Sequence, residues 1–157
     1  MLPSRFSAFA LPPSAFIEVF VDAKILELCR EDSRFTYEAY EFVCEAVTYT
    51  QDRLGRAAAE RDEEGEERHV SGAELLNGTC ELAVREFGMM APVVFKQWGV
   101  KTTNHVGEIV FKLIKAQRLS KSDRDDPNDF NALFDLHETL AAGFQITLGD
   151  TAKRGDR

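Results

Sequence analysis

Apolar residues recur at three- and four-residue steps along most of the chain, and this spacing predicts amphipathic helices. In the first segment the apolar positions run from Phe16 to Cys29, and in the last from Val106 to Ile114. The pattern predicts five helices, at residues 14–30, 36–53, 71–87, 92–98 and 103–117.

Residues that favour helix ends stand at the borders of these segments. Ser71 is followed three positions later by Glu74, which matches a capping box, in which each side chain bonds the backbone N–H of the other residue. Pro92 suits a first helical turn, where its missing N–H is not needed. The predicted N-caps are Ser14, Thr36, Ser71 and Thr103, and the predicted stops are Gly55, Gly88 and Gly99.

The order of elements after residue 91 predicts a known DNA-binding arrangement. The helices at 92–98 and 103–117, joined by a tight turn at Gly99, have the spacing of a helix-turn-helix. Short strands at 118–121 and 130–136, with Val70 as a third, would add a wing, and residues 137–144 a last helical turn. We therefore expect a mainly α fold: a five-helix domain with a helix-turn-helix core and a small β wing, winged-helix-like.

A chain of 157 residues fits one domain. We expect residues 1–13 to form a loose N-terminal leader, residues 14–149 a single helical domain, and residues 150–157 a disordered tail. Residues 56–68 are rich in acids and almost lack large apolar side chains, which predicts a solvated acidic loop or a frayed extension of the second helix.

Charge and cysteine content place the expected protein in the cytoplasm. The net charge of −8 favours solubility and opposes general attraction to nucleic acid or an anionic membrane. The three cysteines lack a CxxC spacing, so they do not form a disulfide framework. Charged residues interrupt every apolar stretch, so no membrane span is predicted.

The charge is nevertheless unevenly distributed. Residues 91–121 contain six basic residues and one acidic residue, a local charge of +5, whereas the remainder carries −13. In a winged helix these basic residues would meet bases and phosphates, although Glu108 opposes this. A solvated helix face explains the same pattern. The candidate nucleic-acid or partner-binding residues are Lys101, Thr103, Asn104, Lys112, Lys115 and Arg118.

No catalytic, cofactor-binding or metal-binding set is predicted. His69 precedes Ser71 by two residues, but Ser71 is already accounted for as a helix cap. The acidic segment at residues 123–129 lacks the glycine and the final chelating Glu of an EF-hand, which favours solvated Asx turns. The three histidines are far apart, so we expect no enzyme, no cofactor and no metal. The Met89-Met90 pair is interpreted as gap filling between helices, with an adaptable contact surface as the alternative.

Several motifs point to one protein family. They are FTYEAYEFV at 35–43, RHVSGAELL at 68–76, FG at 87–88, WGV at 98–100 and GEIVF at 107–111. These stretches resemble an uncharacterised bacterial family largely restricted to planctomycetes and verrucomicrobia, over residues 16–134. The acidic insert at 57–67 and the tail after residue 143 depart from its pattern. The resemblance implies a stand-alone bacterial domain and supplies neither an activity nor a site.

The function expected from these observations is a non-enzymatic protein-interaction or regulatory module. Its partner is an unknown protein or a second copy of the chain, with no membrane involved. The alternative is a winged-helix DNA-binding regulator that uses the basic face of helix 103–117.

Overall fold

The structure is a computed structural model that describes residues 21–56 and 69–144. These residues are mainly helical and contain no β-strand. The predicted leader at 1–13, nearly all of the acidic loop and the tail at 150–157 lie outside them. The α-helices are α1 (Ala23–Glu31), α2 (Tyr37–Arg53), α3 (Gly72–Phe87), α4 (Ala91–Gln97), α5 (Thr103–Lys115) and α6 (Leu136–Gly143), with 3-10 turns at Gly88–Met90 and Pro127–Phe130.

The core forms where α2 crosses α3, with α5 and α6 packed around this pair. Gly78 allows the close crossing, because a Cβ at this position would lie 3.0 Å from the Cβ of Thr50. The buried hydroxyls of Thr50 and Thr79 donate to the carbonyls of Ala46 and Leu75, one turn back in their own helices. Polar groups can therefore be buried here because they are paired locally.

An aromatic cluster joins α2, α3 and α4. The ring of Trp98 lies 5.3 Å from Phe42, 5.5 Å from Phe87 and 5.6 Å from Phe95, measured between centroids. Such tilted and edge-to-face pairs stabilise a core beyond the area that they bury. The cluster fixes the end of α4 against the two central helices.

Several predicted helix ends are confirmed. The Ser71–Glu74 capping box is formed, with both reciprocal hydrogen bonds present. Gly55, Gly88 and Gly99 have φ values of +69°, +55° and +83°, which suit a residue without a Cβ. Thr36 occupies the N-cap of α2 as expected, but its hydroxyl makes no capping bond.

The start of the first helix is a correction. Helix α1 begins at Ala23, because the carboxylate of Asp22 accepts hydrogen bonds from the N–H groups of Lys24 and Ile25. Ser14, the predicted cap, lies outside the described residues. Leu26, one of the apolar positions of the predicted stripe between Phe16 and Cys29, is exposed, since α1 packs mainly on α2 and buries only Ile25 and Leu28.

Both ends of α5 also differ from the prediction. The N-cap is Thr102, whose hydroxyl accepts the N–H of His105 at 3.3 Å, and Thr103 is the first helical residue. The helix ends at Lys115 instead of residue 117, because Gln117 adopts a φ of +59°.

The small β wing is not formed by the residues described after α5, and Val70 is not in a strand. The N–H groups of Arg118 and Leu119 both bond the carbonyl of Leu113, which curls the chain at the end of α5. The segment then folds into the Pro127–Phe130 turn, whose Phe130 is buried against Gly107. The expected last helical turn is present as α6.

Candidate functional site

Two of the six predicted site residues are free on the surface. Lys101 and Lys115 are exposed, and neither forms a salt bridge with a described residue. Of the other four, three form bonds within the domain and Thr103 is buried.

Lys112 is held by the loop between α1 and α2. Its ammonium pairs with the carboxylate of Asp32 and lies 5.3 Å from the centroid of the Phe35 ring. Arg34 bonds the same carboxylate at 2.8 Å and reaches Glu108 on α5 at 2.5 Å. Hydrogen bonds from Arg34 and then Lys112 hold the pKa of Asp32 far below its usual value. These groups therefore fasten the α1–α2 loop to α5.

Arg118 and Asn104 serve similar structural purposes. The guanidinium of Arg118 lies 2.6 Å from Asp22, the N-cap of α1. The side chain of Asn104 accepts the N–H of Ala132 at 2.8 Å and donates to Asn131 at 3.2 Å. Arg118 thus stabilises the start of α1, and Asn104 stabilises the segment at residues 131–132.

Thr103 is buried, with about 1% of its surface exposed. Its hydroxyl has no hydrogen-bond partner within the described part of the chain. The predicted site therefore does not form one surface, because burial or intramolecular bonds occupy four of its six members.

His69 and Ser71 do not form a nucleophile and base. The Ser71 hydroxyl accepts the N–H of Glu74, and the Nδ1 atom of His69 lies 3.7 Å from Asp125. Arg56 donates to the carbonyl of His69 at 2.7 Å and to Glu74 at 2.9 Å. This Arg56 bridge connects the end of α2 to the start of α3.

The acidic segment near residue 125 forms Asx-type contacts, as expected. Asp126 accepts the N–H of Asn128 at 2.9 Å, and Asp125 accepts the N–H of Ser122 at 2.6 Å. No group of His, Cys, Asp or Glu in residues 21–56 and 69–144 is arranged to hold a metal ion. Within the same ranges, no helix is long and apolar enough to cross a membrane.

The cysteine thiols are free and have raised pKa values. Burial raises the pKa of Cys80 to about 12, and it also raises the pKa values of Cys29 and Cys44. Thiols with raised pKa values are poor nucleophiles at neutral pH, since the thiolate is the reactive form.

An exposed apolar surface lies where α3 gives way to α4. Met89, Met90, Val93 and Phe144 keep 64%, 51%, 49% and 37% of their surface exposed. A Cβ on Gly88 would lie 3.2 Å from the Phe144 ring, which places this ring against the first residue of the 3-10 turn that carries the methionines. We call these four residues the Met patch.

The interpretation of Met89-Met90 as gap filling is wrong. Gly88, with its positive φ, ends α3 and starts the 3-10 turn that turns both side chains outward. The methionine pair was the available signal in the sequence, and its alternative interpretation as a contact surface agrees with this exposure. Residues 88–107 contain Lys96 and Lys101 and no acid, whereas the exposed Glu86 lies three positions before Met89.

A second surface is formed by α1 and α2. An open cavity of about 500 Å³ lies beside these helices; it is lined by Val21, Ile25, Glu41 and Cys44 and by the ion pair of Asp22 and Arg118. Leu26 is exposed beside exposed carboxylates. We call the set Leu26, Glu27, Glu31, Glu38, Glu41 and Glu45 the acidic face.

Comparison with models of protein families, with characterised proteins and with solved structures finds no match for this chain. The resemblance to the bacterial family therefore stays a prediction.

Proposed function

We propose that this chain is a non-enzymatic protein-interaction module that binds its partner through the Met patch. The observation that carries the proposal is the exposure of four large apolar side chains around the junction of α3 and α4. Clusters of this kind on soluble domains commonly mark interaction sites. Methionine suits such a site because its unbranched side chain adapts to differently shaped partners.

The role of the chemically versatile residues supports a non-enzymatic function. Ser71 caps α3, His69 lies beside Asp125, and Lys112 is paired with Asp32. Each of these groups has a structural partner in place of a catalytic one. A cytoplasmic location is part of the proposal, because free thiols persist in reducing compartments.

The test compares two purified baits in a pull-down from a native lysate of the source cells. The patch variant carries Met89→Ser, Met90→Ser and Val93→Ser, and the control carries Leu54→Ser, an exposed leucine at the end of α2. We expect the control to retain the proteins that the wild type captures and the patch variant to lose them. Equal capture by both variants, with equal free energies of unfolding, would refute the proposal.

The alternative function is a helix-turn-helix DNA-binding regulator without, in its described residues, the wing that the sequence predicted. The helix order and the exposed Lys101 and Lys115 favour it, whereas the ion pairs of Lys112 and Arg118 count against it. Fluorescence anisotropy with a random-sequence duplex at low salt separates the two functions. Binding that weakens steeply with salt and is lost in the Lys101→Glu, Lys115→Glu variant would favour DNA binding. We expect no binding.

A further inference from the structure

We propose that His105 is a pH-sensitive switch in the turn between α4 and α5, and that it holds this turn closed only while its imidazole is neutral. The switch lies outside the Met patch and does not depend on the proposed function. It is carried by the hydrogen bond that the imidazole accepts and by the charges that surround it.

The start of α5 is a capping box in which a histidine takes the place of the usual glutamate or glutamine. The hydroxyl of Thr102, the N-cap, accepts the N–H of His105 at 3.3 Å. In return, the Nδ1 atom of His105 accepts the N–H of Lys101, one residue before the cap, at 3.0 Å. In the usual box, formed here by Ser71 and Glu74, a carboxylate accepts the N–H of the cap itself. The His105 side chain thus fastens the end of the turn to α5.

The bond to Lys101 exists in only one protonation state of the imidazole. Nδ1 can accept a hydrogen bond while the ring is neutral and carries its proton on Nε2, whereas both nitrogens are donors in the charged ring. Protonation therefore sets one N–H group against another and removes the bond. The box at the start of α3 has no such change near neutral pH, because hydrogen bonds hold the pKa of Glu74 at about 2.

The surroundings of His105 also oppose its charged form. Burial is the main cause that lowers its pKa below the ordinary value of 6.5, and Arg34 from the α1–α2 loop and Lys101 from the turn lower the pKa further. Glu108, three residues further along α5, raises the pKa, but this carboxylate is already bonded to Arg34. The first turn of a helix is the positive end of its dipole and also disfavours a cation.

The imidazole also connects the turn to the α1–α2 loop. Its ring meets the buried Phe35 edge to face, with 5.5 Å between the centroids. Arg34 and Lys112 lie over the same Phe35 ring at 5.0 and 5.3 Å, and Lys112 is paired with Asp32. A charged imidazole would be a third cation around this ring, and like charges repel. We therefore expect the protonated side chain to leave Phe35 and to release the turn.

The sign of the pKa shift gives the pH range of the switch. Because the folded chain binds this proton less readily than the unfolded chain, the contribution of His105 to stability is complete above pH 6.5 and is lost as the pH falls below it. Histidine is the side chain whose ordinary pKa allows a change of charge between about pH 5 and 8. The turn is therefore closed at neutral pH and open in mildly acidic surroundings.

The experiment is a titration of the isotopically labelled full chain by NMR between about pH 8 and 5. We expect the His105 imidazole to titrate with a midpoint below 6.5, and the amide signals of Lys101 and His105 to shift with the same midpoint. Protection of the Lys101 amide against hydrogen exchange, corrected for the intrinsic rate at each pH, should fall about three- to tenfold on protonation, as for one lost hydrogen bond. A midpoint at or above 6.5, or a Lys101 amide that does not follow the imidazole, would overturn the proposal.

Two variants at the same position separate the hydrogen bond from the ring contact. His105→Gln keeps an acceptor that does not titrate, so the Lys101 amide should stay protected at both ends of the pH range. His105→Phe keeps a ring against Phe35 but has no acceptor, so the same amide should be unprotected throughout.

The control variant is His137→Gln, which removes an imidazole from α6 and should retain the titration of the wild type. Circular dichroism at neutral pH verifies that each variant is folded. A Lys101 amide that still loses its protection on acidification in the His105→Gln variant would refute the assignment of the switch to His105.

Discussion

Gly78 of α3 and Thr50 of α2 share the space where the two helices cross. Glycine is normally about 1 kcal/mol less favourable than alanine inside a helix. Here the added methyl group would collide with the Thr50 side chain, whose hydroxyl is bonded to the Ala46 carbonyl. We expect Gly78→Ala to lower the free energy of unfolding by about 1–2 kcal/mol, since overpacking outweighs the helix preference.

Urea denaturation measures this change, and the exposed neighbour provides the control. Asn77→Ala should leave the protein equally stable or more stable, by a few tenths of a kcal/mol. Adding Thr50→Ala to the Gly78→Ala variant should recover part of the loss, because the colliding atoms are removed. Strict additivity of the two substitutions would show that they do not compete for this space.

Glu74 gives the stability of the protein an acid dependence. Hydrogen bonds from Arg56 and from the Ser71 N–H lower its pKa to about 2 from an ordinary value of 4.5. Because the folded protein holds this carboxylate in its charged form, its contribution is complete above the ordinary pKa and is lost as the pH falls toward 2. We expect Glu74→Gln to flatten the decline in the free energy of unfolding between about pH 5 and pH 2, whereas Glu45→Gln, at an exposed position, should leave that decline unchanged.

At the scale of elements, the attachment of the α1–α2 loop to α5 depends on Asp32 and Lys112. A double-mutant cycle of Asp32→Asn and Lys112→Met, measured by urea denaturation, should give a coupling energy of about 0.5–1 kcal/mol, typical of a pair that is still partly solvated. The same cycle with Lys115→Met in place of Lys112→Met should give a value near zero. Equal couplings would mean that Asp32 senses only the general charge of α5.

Local signals predicted the helices well, and distant contacts explain the errors. The Ser71–Glu74 capping box and the glycines that end helices depend on residues a few positions apart. The local sequence pattern is therefore sufficient to predict them. The wing failed because Phe130 is buried against Gly107, across the chain, and this contact favours a 3-10 turn over a strand. The cap of α5 was misplaced by one residue because two threonines are adjacent.

The candidate site shows the same difference between what local signals predict and what distant contacts determine. A count of basic residues located Lys101 and Lys115 on the surface, but it could not show that Lys112 meets Asp32, 80 positions away. Nor could the pattern tell a buried methionine from an exposed one. The direction of Met89 and Met90 depends on how the chain leaves Gly88, which adopts a φ of +55°.

At the scale of the whole molecule, the only tryptophan of the chain reports on the core. Trp98 contacts rings from α2, α3 and α4, so its surroundings exist only when these helices are packed together. We expect its fluorescence and the far-ultraviolet circular dichroism to give the same urea midpoint, as for a single cooperative unit. A fluorescence transition at lower urea than the loss of helix would contradict this expectation.

The Arg56 bridge makes the junction between α2 and α3 a natural insertion point for protein engineering. Arg56 holds the His69 carbonyl and Glu74, so the two chain ends that flank residues 57–68 are fastened to each other whatever connects them. The entropy of closing a loop grows only slowly with its length. A fluorescent or affinity module whose own termini lie close together can therefore replace these residues while Arg56 keeps the end of α2 joined to the start of α3.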